Sequence, residues 1–155
     1  MLTRYNLVSE LSGKKYESLL RYAVGKGLVV LLVDTCGYSS EKRANFVNAM
    51  EPYLKSMKKV SCWPGTQLTD QKVPVYRYRL NEKSCALILN VSKGLFDWEQ
   101  PDLLEDLCLL RPDDSVFMTA TTSERDAYFD ITESEMAELT HQIPGMELAS
   151  DGRHR

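Results

Sequence analysis

Six consecutive residues, Leu28-Val29-Val30-Leu31-Leu32-Val33, are apolar without interruption. The run is far shorter than the roughly 18 residues of a membrane span, and its β-branched content predicts a strand. Successive side chains of a strand point to opposite faces of the sheet. A strand with no polar position must therefore be buried on both faces, and the fold must supply cover on each side of it.

The neighbouring segments suggest where cover comes from. Tyr16, Leu19, Leu20, Ala23 and Val24 recur at helical spacing, which predicts an amphipathic helix over 13–25 ending at Gly25 or Gly27. Ser39 or Ser40 caps a second helix with Glu41 in its first turn. Its apolar face reads Phe46, Val47, Met50, Leu54 and Met57, with Pro52 set to kink or split it near Met50. Short strands are expected at 60–63, stopped by Pro64-Gly65, and at 73–80, with Tyr76, Tyr78 and Leu80 opposite Val75, Arg77 and Arg79. Cys85 to Val91 is nearly all apolar and predicts a central strand, hairpin-paired with Tyr76–Leu80 across Asn81-Glu82-Lys83.

Beyond it, Pro101 to Asp106 predicts a short helical turn with Pro at its first position. Strands follow at 107–110, 116–121 and 127–131, the first two joined by the turn Arg111-Pro112-Asp113-Asp114. Thr132-Glu133-Ser134-Glu135 is a capping box, with Ile131 and Met136 as its staple, so a last helix runs to about Gln142. These elements make an α+β, single two-layer domain: a mixed or antiparallel sheet of six or seven strands with three helices. A length of 155 residues predicts one domain, over 1–147, followed by a polar, disordered tail at 148–155.

The first residues hold no apolar stretch of signal-peptide length. Cys36, Cys62, Cys85 and Cys108 show no CxxC spacing, and the reading is reduced thiols in a cytoplasm. The net charge of −3 hides a division. Residues 1–93 carry 15 Lys+Arg against 7 Asp+Glu, and residues 94–155 carry 4 against 15. Either the halves pack together and neutralise each other, or the acidic part faces a basic partner. The basic residues form no cluster interleaved with stacking aromatics, so nucleic acid is not expected as a partner.

Catalytic groups are sparse. His141 and His154 are the only histidines; one ends a helix, where a cation suits the dipole, and the other sits in the tail. No GxSxG, HExxH or CxxC occurs, and neither a metal nor a cofactor is expected. The most enzyme-like stretch is Asp34-Thr35-Cys36-Gly37-Tyr38-Ser39-Ser40, between a buried strand and a helix, where α/β proteins place ligand loops. Cys36 near a helix start could have a lowered pKa, but no Arg follows at phosphatase spacing and one Gly does not make a P-loop. A structural turn is the competing reading. The acidic residues Glu99, Asp102, Glu105 and Asp106 lack the order and Gly of an EF-hand. Together with Asp113, Asp114, Glu124 and Asp126 they form a candidate partner-binding set, with Trp98 as its hot spot if that ring is exposed.

Three stretches carry a resemblance: Trp63-Pro64-Gly65-Thr66, the run Trp98-Glu99-Gln100-Pro101-Asp102-Leu103-Leu104-Glu105-Asp106-Leu107-Cys108, and Ser123-Glu124-Arg125-Asp126-Ala127. They resemble the small bacterial immunity proteins of polymorphic toxin systems. In that group the middle stretch holds a Pro-Glu-Asp-Leu run and the last a His-Glu pair; here Leu104 replaces the Pro and Ser123 the His. The resemblance implies a non-enzymatic α+β protein that binds a toxin. Nuclease toxins are basic because their substrate is polyanionic, so an acidic inhibitor would be steered to them. The alternatives are a structural or regulatory homodimer paired through a strand edge, and a small enzyme using Asp34 and Cys36.

Overall fold

The computed structural model describes residues 1–37 and 39–154, with backbone alone at 152–154. Tyr38, in the strand-to-helix loop, and the His154 side chain lie outside the described residues. Chain order is β1 (Thr3–Leu7), α1 (Lys14–Gly25), β2 (Val29–Val33), α2 (Glu41–Met50), β3 (Leu54–Val60), β4 (Cys62–Trp63), β5 (Thr66–Gln67), β6 (Val73–Arg79), α3 (Glu82–Val91), β7 (Glu105–Leu110), β8 (Val116–Thr121), β9 (Asp126–Ile131), α4 (Glu133–Gln142) and β10 (Leu148–His154). Eight strands form one sheet in the order β10-β1-β9-β8-β7-β2-β6-β3, and β4 and β5 form a separate hairpin. Every pairing is antiparallel. The fold is α+β, with more strands and one more helix than the periodicity alone suggested.

All five residues of β2 are buried, and the two faces are covered differently. Val30 and Leu32 join a large core with Tyr16, Leu19 and Leu20 of α1, Phe46 and Met50 of α2, Ile88 of α3 and Leu139 of α4. Val29, Leu31 and Val33 join a smaller core with Val73, Val75, Cys108, Leu110 and Trp63. Helices thus cover one face and the β4–β5 hairpin caps the other. Each fully buried Val or Leu contributes about 1.5–3 kcal/mol relative to exposure. Gly65 makes the cap possible. Its φ is +84, and a Cβ there would lie 2.9 Å from both Thr119 Cγ2 and Thr121 Oγ1 of β8, so the turn's backbone rests directly on the sheet.

Ser40 caps α2 by accepting from Arg43 N at 3.1 Å, and Thr132 caps α4 by accepting from Glu135 N at 3.1 Å. The helix predicted through Met57 stops at Met50. Pro52 sits in a 3-10 turn over Glu51–Tyr53, because it has no N–H to continue the helix. Leu54 and Met57 therefore belong to β3, and the strand read at 60–63 is divided between β3 and β4.

Cys85 to Val91 is helix, not strand. Asn81 Oδ1 accepts from Ser84 N and Ser84 Oγ accepts from Asn81 N, both at 2.9 Å. This reciprocal cap starts α3, and β6 pairs with β2 and β3 instead of with a following hairpin strand. An unbroken apolar run does not itself distinguish strand from helix. The expected helical turn at Pro101–Asp106 is a single turn closed by Leu103 N to Glu99 O at 3.2 Å. Glu105 and Asp106 already belong to β7, and the Gln100–Pro101 peptide is cis. The tail is also corrected: residues 148–154 form β10, an edge strand paired with β1 from Leu7↔Leu148 to Thr3↔His154.

Two outcomes test these assignments. Replacing Asn81 by Ala should cost about 1 kcal/mol of unfolding free energy, read from the urea midpoint. Deleting 148–155 should lower that midpoint and speed amide exchange across β1; unchanged exchange there would contradict the β1–β10 pairing.

Candidate functional site

The C-terminal end of β2 and the starts of β7 and β9 share one end of the sheet, because β2 and β8 run antiparallel to those neighbours. The Asp34-Thr35-Cys36 loop leaves β2 there and is held by one side chain. Gln100 Oε1 accepts from Thr35 N and Cys36 N, both at 2.7 Å, and from the Thr35 hydroxyl. Gln100 Nε2 approaches Asp34 Oδ1 at 3.4 Å. The other Asp34 oxygen forms an ion pair with Arg43, and both side chains are largely buried. Asp34 is therefore bound into a clamp that fixes the loop to α2 and to the 99–103 segment. Cys36 is exposed, and its N–H is occupied by Gln100. Gln100 and Arg43 were not singled out in the sequence; neither belongs to a motif that marks a loop clamp.

The two tryptophans divide their roles in an unexpected way. Trp98, a candidate hot spot only if exposed, is fully buried and packs on Phe46. Its Nε1 donates to the Tyr16 oxygen at 2.8 Å. Tyr16 lies 2.7 Å from Ser92 Oγ, which itself donates to Ile88 O, so the Tyr16 hydroxyl donates to Ser92. Burial pushes the Tyr16 pKa up to about 12. This satisfied chain cross-links α1, α3 and the 95–98 turn inside the core.

Asp106 is likewise no surface group, being 3% exposed. It has φ 57 and sits in a bulge, where Leu31 pairs with Cys108 and Val33 with Glu105. Such bulges re-aim side chains. The Asp106 carboxylate accepts from Trp63 Nε1 at 3.1 Å and from Thr122 N at 2.8 Å. It pins the β4–β5 hairpin to the sheet and ties the β8–β9 connection to β7.

The remaining acidic candidates separate into two groups. Asp113 and Asp114 lie in the β7–β8 turn, at the opposite end of the sheet. Asp113 accepts from Ser115, and Asp114 pairs with Arg77 at 3.0 Å. Glu99, Asp102, Glu105, Glu124 and Asp126 share the loop end, with all but half-buried Glu105 exposed. Of these, Glu99 and Asp102 line a shallow cleft of about 750 Å³, together with Asp97, Phe96 and Arg125. Lys42 and Lys93 line it too, so the surface is mixed in sign where the sequence suggested an acidic one. Burial raises the Glu105 pKa, with nearby Asp106 adding to the shift.

Part of the charge division is neutralised across the fold. Arg4 makes a bidentate pair with Asp130 at 2.9 and 3.0 Å, Lys26 pairs with Glu138 at 2.8 Å, and Arg77 with Asp114. Among the described residues no three His, Cys, Asp or Glu side chains are gathered to hold a metal ion, and no helix is long and apolar enough to cross a membrane. Among the described residues no disulfide joins the four cysteines, and Cys85 and Cys108 are buried; burial pushes the Cys108 pKa up to about 12. The β3 edge carries Lys55, Lys58 and Lys59, a row that opposes pairing of β3 with its own copy.

A second concavity was not foreseen. Between the β4–β5 hairpin and the sheet lies a slot of about 240 Å³, floored by Leu31, Val75 and Leu110 and walled by Trp63 and Pro64. Alternation in β6 gave one hint, since Val75 and Arg77 share a face, but the hairpin's fold-back onto that face left no periodic signal. No family model matches the chain, and no curated protein or solved structure matches it.

Replacing Trp63 by Phe should cost about 1–3 kcal/mol by leaving Asp106 short of a donor, with faster amide exchange in the hairpin as its local signature. The Glu105 shift sets a pH dependence. A carboxyl whose folded pKa is raised favours folding while protonated and loses that contribution as pH rises through its folded titration. Glu105→Gln should therefore gain stability over the parent at pH 7, and the gain should vanish as pH falls below the ordinary Glu value of about 4.3. A difference constant across that interval would show that burial does not govern Glu105.

Proposed function

We propose that the chain is a protein-binding module that receives a basic partner at the loop end of its sheet. The observation that carries this reading is that Glu99 and Asp102 line one broad cleft at this end, with exposed Glu124 and Asp126 on the β8–β9 connection at the same end of the sheet. Carboxylates on loops held by a rigid sheet create a directional field that steers a cationic partner. Lys42, Lys93 and Arg125 set register within the cleft, because like charges misplaced against them are repelled.

The finer reading is an immunity-type protein that neutralises a nuclease-type toxin in a bacterial cytoplasm. It is supported by the resemblance in 63–66, 98–108 and 123–127, and by the way those stretches meet. Asp106 of the second accepts from Trp63 of the first and from Thr122, the residue preceding the third. Free thiols are compatible with a reducing compartment. A protein bound across this end would occlude a basic nucleic-acid site electrostatically as well as sterically.

The test is association kinetics with the basic protein captured from the native host's lysate. Glu99→Lys combined with Asp102→Lys should slow association at least about tenfold at low ionic strength, where steering operates. The difference should shrink at about 1 M salt, where the screening length is about 3 Å. A captured partner without basic character, or an association rate indifferent to the reversal at low salt, would overturn the proposal.

A further inference from the structure

The slot under the β4–β5 hairpin is apolar at its base and cationic at its mouth. Leu31 and Leu110 are almost fully buried at its floor, and the Trp63 ring forms one wall. Three charged side chains line the opening: Lys58, Arg77 and Asp114. In the β3–β6 ladder Lys58 stands opposite Val75 and Ser56 opposite Arg77. Lys58 and Arg77 are thus diagonal neighbours on one face, about 7–8 Å apart. Arg77 Nη1 is 3.0 Å from Asp114 Oδ1. Lys58 has no carboxylate within ion-pair distance among the described residues. The mouth therefore carries one uncompensated positive charge, and Arg77 keeps donors beyond the one given to Asp114.

We propose that this slot binds a small organic acid: an aryl or branched aliphatic body on the apolar floor, with its carboxylate between Lys58 and Arg77. The size fits, since about 240 Å³ exceeds the roughly 150 Å³ that accommodates benzene. The chemistry fits as well. A planar carboxylate matches the guanidinium fork and neutralises the ammonium. A cationic ligand would meet Lys58 unfavourably. A neutral apolar molecule would leave the charge uncompensated, and a bare inorganic anion would leave the floor unused. This site is separate from the loop-end cleft, and the proposal does not depend on the partner-binding reading.

Cys62 lines the same slot, whereas Cys36 is exposed at the loop end, so the two thiols report on occupied and unoccupied surface in one experiment. The intact protein is alkylated with iodoacetamide in the presence of phenylacetate, isovalerate, phenylacetamide or phenethylamine, and each cysteine is followed by peptide mass spectrometry. At about ten times its dissociation constant an acid should slow Cys62 alkylation about tenfold and leave Cys36 unchanged. Lys58→Gln, an exposed change that leaves the fold intact, should raise the dissociation constant about tenfold, so that the same acid concentration slows Cys62 alkylation only about twofold, and Lys58→Arg should restore the protection. Equal protection by the amide or the amine would overturn the charge assignment. So would no protection by either acid.

Discussion

The burial of both faces of β2 is the constraint from which the rest of the architecture follows. Val30 and Leu32 on one side and Val29, Leu31 and Val33 on the other each require cover. On the first side four amphipathic helices supply it with many large side chains. On the second the cover comes mainly from a two-strand hairpin, and an isolated hairpin is marginal in water. It persists because it is fastened. The bulge at Asp106 turns a carboxylate towards the open face, and Trp63 donates to it. A buried carboxylate is costly unless its hydrogen bonds are met, so hairpin and bulge each satisfy what would be a defect in the other. Gly65 allows the closeness this needs, its backbone lying where any Cβ would strike β8.

The same topology explains why a chain so divided in charge is not a simple dipole. The sheet interleaves the two parts: β1, from the basic part, lies between β10 and β9, and β2 lies beside β7. Arg4–Asp130 and Lys26–Glu138 close across that interleaving. An exposed pair such as Lys26–Glu138 contributes little, whereas the part-buried Arg4 pair gains from its bidentate geometry and from stacking on Tyr128 at 3.7 Å. What remains uncompensated lies where the chain does not interleave. Lysines remain along the β3 edge of the sheet, and carboxylates on the loops that lead into β7 and β9.

Much of this was legible where a residue's role depends on near neighbours. The apolar run at 28–33, the alternation in 73–79 and the cap at Thr132 all translated into the elements observed. Cys85–Val91 reads as strand because a nearly unbroken apolar run carries no period to tell strand from helix, although Asn81 and Ser84 stand at capping-box spacing before it. Residues 148–154 failed because their polar composition suits an edge strand and a tail equally. The candidate site was less legible. Glu99, Asp102, Glu124 and Asp126 are exposed at one end of the sheet, but Trp98 and Asp106, placed in the same candidate surface set, are buried. Burial of a polar or aromatic side chain is set by partners distant in sequence. Trp98 meets Tyr16 and Asp106 meets Trp63 and Thr122, and no local pattern encodes those encounters.

The two tryptophans show how this matters for function. Trp98 carries its polar atom into a closed hydrogen-bond chain, so its aromatic surface is consumed by the helical core. Trp63 is held by one bond to Asp106 at the border between the smaller core and solvent, and the rest of its ring remains available as a wall. Cover provided by four helices leaves little room against the sheet, because side chains from both layers interdigitate at near-crystalline density. Cover provided by a hairpin of a few residues cannot fill the whole face. The unfilled part is the slot beside Leu31, Val75 and Leu110, with Lys58 and Arg77 at its mouth. The need to bury β2 twice, met unequally on its two sides, therefore produces both a rigid base for the loop-end carboxylates and a second concave surface of different chemistry.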